Sequence, residues 1–123
     1  MLTVCIVDDS ADIRDIYSLK FQREGFMVVV ARDGAEGLQL IREKRPDVIL
    51  LDIEMPVMGG LEVLKALKED PELEKIPVVV MSNIDNEAMF QRVSELGAAK
   101  YYLVKSLTDS QRVVSVTLEA LNA

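Results

Sequence analysis

Five short runs of almost uninterrupted apolar residues punctuate the chain: Leu2–Val7, Met27–Ala31, Val48–Leu51, Ile76–Met81 and Tyr101–Val104. They are rich in Val and Ile, and apolar at successive positions instead of alternate ones, the pattern of strands buried on both faces. Between them, apolar residues recur at helical spacing. Ile13, Ile16, Tyr17 and Phe21 share one face of the first such segment, and Gly25 can end it. Ala35, Leu38 and Ile41 mark the second, which stops before Pro46. Leu61, Leu64 and Leu67 mark the third, ending before Pro71; Met89, Val93 and Leu96 mark the fourth, followed by Gly97; Val114, Leu118 and Leu121 mark the last. Five strand–helix repeats predict an α/β fold with a doubly wound, five-stranded parallel sheet and helices on both faces. Five strands fit the order 2-1-3-4-5. The 123 residues are expected to form one domain over 1–123, and with 50% of them hydrophobic there is ample material for its core.

In such a sheet, ligands bind beyond the carboxyl ends of the strands, near the point where strand order reverses. The residues there are Asp8, Asp9 and Ser10 after the first run, and Asp52 after the third, followed by Ile53–Glu54–Met55–Pro56 and the pair Gly59–Gly60. Ser82 and Asn83 follow the fourth run, and Lys105 follows the fifth, with Tyr102 three positions earlier. Taken singly, each has an ordinary explanation. Asp9 or Ser10 can cap a helix, Asp52 can stand in a turn, and Ser82 or Asn83 can shape the turn before the fourth helix. Lys105 can be a solvated surface lysine, and Tyr102 a half-buried strand aromatic.

Their joint placement points elsewhere. The fold brings the ends of the first and third strands together, so three carboxylates share a small space. Two like charges about 4 Å apart repel by roughly 4 kcal/mol at an effective dielectric near 20, so the cluster stays ionised only beside compensating positive charge. A hard divalent cation such as Mg²⁺ suits oxygen ligands of this kind, and Lys105 supplies a second positive charge. A carboxylate, a cation, an ammonium and a hydroxyl around one point form a phosphoryl-transfer site. In it Asp52 is the nucleophile that forms an acyl phosphate, while Lys105 and the Ser82 hydroxyl hold the other phosphate oxygens.

The remaining composition narrows the class. A formal charge of −7 repels phosphate backbones, which argues against nucleic-acid binding by this domain. There is no histidine, which removes Cys–His and Ser–His pairs and histidine metal sites. Cys5, the one cysteine, permits no internal disulfide and reads as a buried strand residue. No apolar stretch reaches membrane-spanning length and no signal peptide precedes the first strand, so a cytoplasmic protein is expected, with no membrane partner.

Together these residues resemble the receiver domains of two-component response regulators, whose fold is flavodoxin-like. The resemblance spans essentially the full chain. Asp8–Asp9 look like the family's acidic pair, the segment DVILLDIEMPVMGG from Asp47 like its phosphoacceptor segment with Asp52 as acceptor, Ser82 like the switch Ser/Thr, Tyr102 like the rotating aromatic and Lys105 like the essential lysine. The resemblance implies that Asp9 ligates Mg²⁺ directly, Asp8 through water, and the Glu54 backbone carbonyl completes the protein ligands with Asp52. It implies a phosphohistidine donor on a sensor histidine kinase or histidine phosphotransfer protein. It further implies that Ser82 moves inward, Tyr102 follows, and the face of the fourth helix, fifth strand and fifth helix changes its affinity for a downstream partner or a second copy.

The sequence departs from the family pattern in three places. Ser106 follows Lys105 where many receivers have a proline in a cis bond, so that loop is either trans and reshaped or strained. Asn83 stands where small residues are frequent, and Glu54 adds a negative charge beside the site. Other classes fit less well. A receiver fold that no longer signals by phosphate would need a broken site. A flavin protein would need a phosphate loop that Asp8–Asp9 would oppose. Aspartyl phosphatases often separate their two catalytic aspartates by one residue, and here they are adjacent.

Overall fold

The structure, a computed structural model, describes residues 1–83 and 86–122. Strands β1 (Thr3–Val7), β2 (Met27–Ala31), β3 (Val48–Asp52), β4 (Val78–Ser82) and β5 (Tyr101–Val104) alternate with helices α1 (Ala11–Arg23), α2 (Gly34–Lys44), α3 (Gly60–Glu69), α4 (Glu87–Leu96) and α5 (Ser110–Asn122). All strands pair in parallel, and their order is β2-β1-β3-β4-β5, as the repeat pattern predicts. Two cores lie on opposite faces of the sheet. One joins Cys5, Val7, Leu51 and Val80 to Leu38 and Ile41 of α2, Leu64 of α3 and Val93 of α4. The other joins Val4, Ile6, Leu50 and Met81 to Tyr17 and Phe21 of α1 and Val113 and Val116 of α5. Successive strand residues feed alternate faces, which is why the central strands need apolar residues without interruption.

Local signals set the helix ends. Ser10 caps α1, its hydroxyl accepting from Ile13 N. At the other end Gly25 is left-handed (φ 89°), and the Phe26 amide donates back to the Phe21 carbonyl, closing the turn. Asp33 caps α2 and Asn86 caps α4 in the same manner, and Gly97, also left-handed, ends α4.

Four sequence expectations need correction. β2 is an edge strand and is not covered on both faces: Met27 is 56% and Val30 41% exposed. Ile16 points away from the buried face of α1, leaving Tyr17 and Phe21 to fill it, and Ala35 is likewise exposed on α2. β4 begins at Val78 instead of Ile76, because Pro77 has no N–H for the ladder. Asp52 and Ser82 are the last residues of their strands and do not lie in the following loops.

Candidate functional site

β1 lies between β2 and β3, so the order reverses at β1 and the carboxyl ends of β1 and β3 adjoin. Val7 pairs with Leu51, which sets the residues that follow them, Asp8 just beyond β1 and Asp52 at the end of β3, side by side. Asp8 is fully buried, Asp52 nearly so, and Asp9 is exposed. One carboxylate oxygen of each of the three lies within 4.8 Å of the others. Lys105, the first residue after β5, reaches across the sheet edge: its Nζ is 2.8 Å from Asp8 Oδ2 and 3.3 Å from Asp52 Oδ2.

Backbone groups fix the carboxylates from the other side. Asp8 Oδ1 accepts from Ser10 N (2.9 Å) and Asp52 Oδ1 from Glu54 N (3.2 Å). Arg14, one turn into α1, donates from Nη1 to the Asp8 carbonyl (2.8 Å) and steadies the start of the loop. The sequence reading passed over Arg14; its signal is a basic residue one helical turn beyond a cap that follows an acidic pair. Asp8 Oδ2 is buried and, beyond its ionic contact with Lys105, has no aligned hydrogen bond. A buried, electron-rich oxygen in that position is suited to a cation, and three carboxylates are the donor set a hard divalent ion takes. Asp8, Asp9 and Asp52 could therefore hold one.

The electrostatics carry the same message. Burial, then the neighbouring Asp8 charge, push the Asp52 carboxyl up to about 6, against the opposing pull of Lys105 and the Glu54 amide. Burial acts to lower Lys105, but its contacts with Asp8 and Asp52 outweigh this and the net shift is upward. Cys5, buried in β1, is pushed up to about 12 by burial and is chemically inert.

The cluster opens to solvent through a depression of about 510 Å³ lined by Asp9, Ser10, Ile13, Asp52, Glu54, Asn83, Lys105 and Ser106. A larger groove of about 840 Å³ lies at the opposite edge, by Asp47, Pro77 and Lys100. Among the described residues its acids, Asp47 and Glu74, form no cluster of three and stand with Lys75 and Lys100, so size does not mark the chemistry. Ser82 is buried at the end of β4, adjoining the depression through Asn83. Tyr102 is half-buried on β5, two residues before the Val104 that pairs with Ser82, and meets Phe90 of α4 edge-on at 5.8 Å between ring centroids. The sequence thus places Asp8, Asp9, Asp52 and Lys105 together at one point, with Ser82 beside it and Tyr102 further along the sheet. The Lys105–Ser106 bond is trans, and the chain turns there through a 3-10 turn, Lys105–Leu107.

A parallel sheet in this order, with acids and a lysine converging at its switch point, is the architecture of the α/β receiver fold. The sequence profile of the response regulator receiver domain matches residues 4–117, and the chain belongs to that family. It is 36% identical over 99 residues to the polar-differentiation response regulator DivK of Brucella anthropi, covering 80% of each chain. Against sporulation initiation phosphotransferase F of Bacillus subtilis it is 35% identical over 99 residues, 80% of this chain and 78% of that one. The structure of chemotaxis protein CheY4 of Vibrio cholerae is similar with a TM-score of 0.89 at 31% identity, covering 98% of both chains.

Proposed function

We propose that the chain, over residues 1–123, is a phosphoacceptor switch that takes a phosphoryl group onto Asp52 from a phosphohistidine of a sensor histidine kinase or histidine phosphotransfer protein. The observation that carries this reading is the Asp52 carboxylate set between Lys105 Nζ at 3.3 Å and the acidic pair Asp8–Asp9. Asp8, Asp9, Asp52 and the Glu54 carbonyl would hold Mg²⁺, which supplies the positive charge that lets an anionic phosphoryl group approach an anionic carboxylate. Bound there, its charge would also favour the ionised form of Asp52, which burial opposes.

An Asp52 oxygen attacks phosphorus in line with the donor imidazole. The O–P bond forms as the P–N bond breaks, and the imidazole takes a proton from solvent. Lys105 follows the charge that develops on the phosphoryl oxygens, and the Ser82 hydroxyl donates to another of them. The domain is an acceptor and self-catalyst and has no separate substrate to turn over. Occupation of Ser82 alters the α4–β5–α5 face through Tyr102, and that face engages a downstream partner or a second copy in the cytoplasm. The direct test is incubation with Mg²⁺ and acetyl phosphate, followed by intact mass and peptide mapping. One phosphoryl group on Asp52, absent in Asp52→Asn, is the expected result. Labelling that persists in that variant puts the acceptor elsewhere.

A further inference from the structure

The loop between β3 and α3 leaves Asp52 and returns to it. Gly60 N donates to the Ile53 carbonyl (2.9 Å), and a Cβ on Gly60 would overlap the Asp52 carbonyl oxygen. Midway, Val57 takes φ 68°, and the Met58 amide donates to the Pro56 carbonyl at 2.8 Å. That bond spans two residues around a left-handed centre, the strained form of the γ-turn, and here the centre is β-branched. Val57 is 82% exposed, so no burial of its own side chain holds it there.

Met55 and Met58 anchor the loop by packing against the core, and the backbone of the turn is met by α2. Gly34, its first residue, donates its N–H to the Met58 carbonyl at 3.0 Å. A Cβ on Gly34 would overlap that carbonyl oxygen and come within 2.9 Å of both the Met58 carbonyl carbon and Val63 Cγ2. The helix cannot retreat to make room. Its start is capped twice: Asp33 Oδ1 accepts from Glu36 N at 2.8 Å, and Glu36 Oε1 accepts from Arg32 N at 2.9 Å. One turn on, a Cβ on Gly37 would stand 2.7 Å from Val7 Cγ1, so α2 already rests on β1 as closely as backbone allows. Of the two partners, the loop is the one that would yield.

We propose that Gly34 is a positioning residue for the phosphoacceptor loop: it clamps Met58 and so fixes where Glu54 stands relative to Asp52. In its effect on cation binding the proposal rests on the phosphoacceptor reading above; in its effect on loop position it does not. The test takes Gly34→Ala in the full chain and follows amide NMR without metal, Mg²⁺ titration by calorimetry, and labelling by acetyl phosphate. Expected are shifts concentrated in Ile53–Gly60, the start of α2 and Val63, which the new methyl also meets, with Mg²⁺ affinity lowered about 10-fold or more and slower labelling. Val57→Gly added to Gly34→Ala lets the turn relax around the new methyl and restores most of the affinity. If the single variant does not fold, the double variant is compared with Val57→Gly alone, and a persisting displacement of Ile53–Gly60 supports the clamp. Wild-type resonances for Ile53–Gly60 in Gly34→Ala or, should that variant not fold, resonances in the double variant equal to those of Val57→Gly would overturn it. A wild type that binds no Mg²⁺ would instead sink the phosphoacceptor reading, and the loop resonances would still decide the clamp.

Discussion

Asp52 is charged at a cost. Buried beside Asp8, it titrates at about 6 in the folded chain against an ordinary 3.8. Above pH 6 it is ionised in both folded and unfolded chains, and the folded state carries the whole penalty. As pH falls from 6 towards 3.8 the folded chain binds a proton that the unfolded chain does not, so this group raises stability over that window; below 3.8 nothing more changes. Metal-free Asp52→Asn is therefore expected to be more stable than wild type at about pH 8, by about 1–3 kcal/mol. Urea unfolding at about pH 8 and again at about pH 4.5 measures this. An advantage that fails to shrink at the lower pH would show that charge is not its cause. The acidic pair divides its labour by exposure. Asp8 Oδ1 accepts from Ser10 N, and its Oδ2, though open to a cation, is already shared with the Lys105 ammonium, whereas Asp9 faces solvent. Asp9→Ala should thus weaken Mg²⁺ binding more than Asp8→Ala does, which calorimetric titration ranks; equal wild-type affinity in both would remove the pair from the site.

At the scale of elements, the β3–α3 loop is where backbone strain and the site meet. A left-handed β-branched residue costs roughly 1–2 kcal/mol, and glycine there gives back somewhat less than 1 kcal/mol in unfolded-state entropy. Val57→Gly should accordingly stabilise the chain by about 0.5–1 kcal/mol, read as a higher urea midpoint at unchanged slope. A loss of stability would mean that the turn is not strained. This strain has no sequence signature, since Val57 looks like any apolar loop residue. The strands were legible because parallel pairing buries both faces, and a run such as Val48–Leu51 has few other uses. Edge position was not: Met27–Ala31 reads like a central strand, and only the topology exposes Met27 and Val30. Helical periodicity likewise located α1 but put Ile16 on the buried side, because a 3.6-residue repeat defines a stripe without its width. Asp8, Asp9, Asp52 and Lys105 were legible through strand order together with the family resemblance. Arg14 and Gly34 act through backbone atoms, and a sequence does not display which carbonyl a side chain or amide will meet.

Across the whole molecule, the proposed switch requires a path from Asp52 to α4 and β5. The register supplies a path: Ser82 pairs with Val104, and two residues back Val80 pairs with Tyr102, so the end of β4 and the Tyr102 ring share one stretch of sheet. Tyr102 already packs partly against the core and edge-on against Phe90, itself 54% exposed. Turning the ring inward forfeits that aromatic contact, worth about 0.5–1.5 kcal/mol. Full burial of such a side chain stabilises by about 1.5–3 kcal/mol, of which the half-buried ring has already realised a share. The two terms are close, so the resting molecule is poised and a small bias from the phosphoryl group suffices to change the dominant state. In the proposed switch that bias enters through the Ser82 hydroxyl. Ser82→Ala is therefore expected to leave Asp52 phosphorylatable while uncoupling the face that carries Phe90 and Tyr102. The measurement is amide NMR of wild type and variant, each with and without beryllofluoride and Mg²⁺. Wild type should shift around Met89–Leu96 and Tyr101–Val104, and the variant should shift only near Asp8, Asp9 and Asp52. Phe90→Ala should act oppositely: with the edge contact gone, the ring's balance tips inward and part of the β5 shift appears before any beryllofluoride is added. Full wild-type shifts in Ser82→Ala would show that the signal leaves the site by another route.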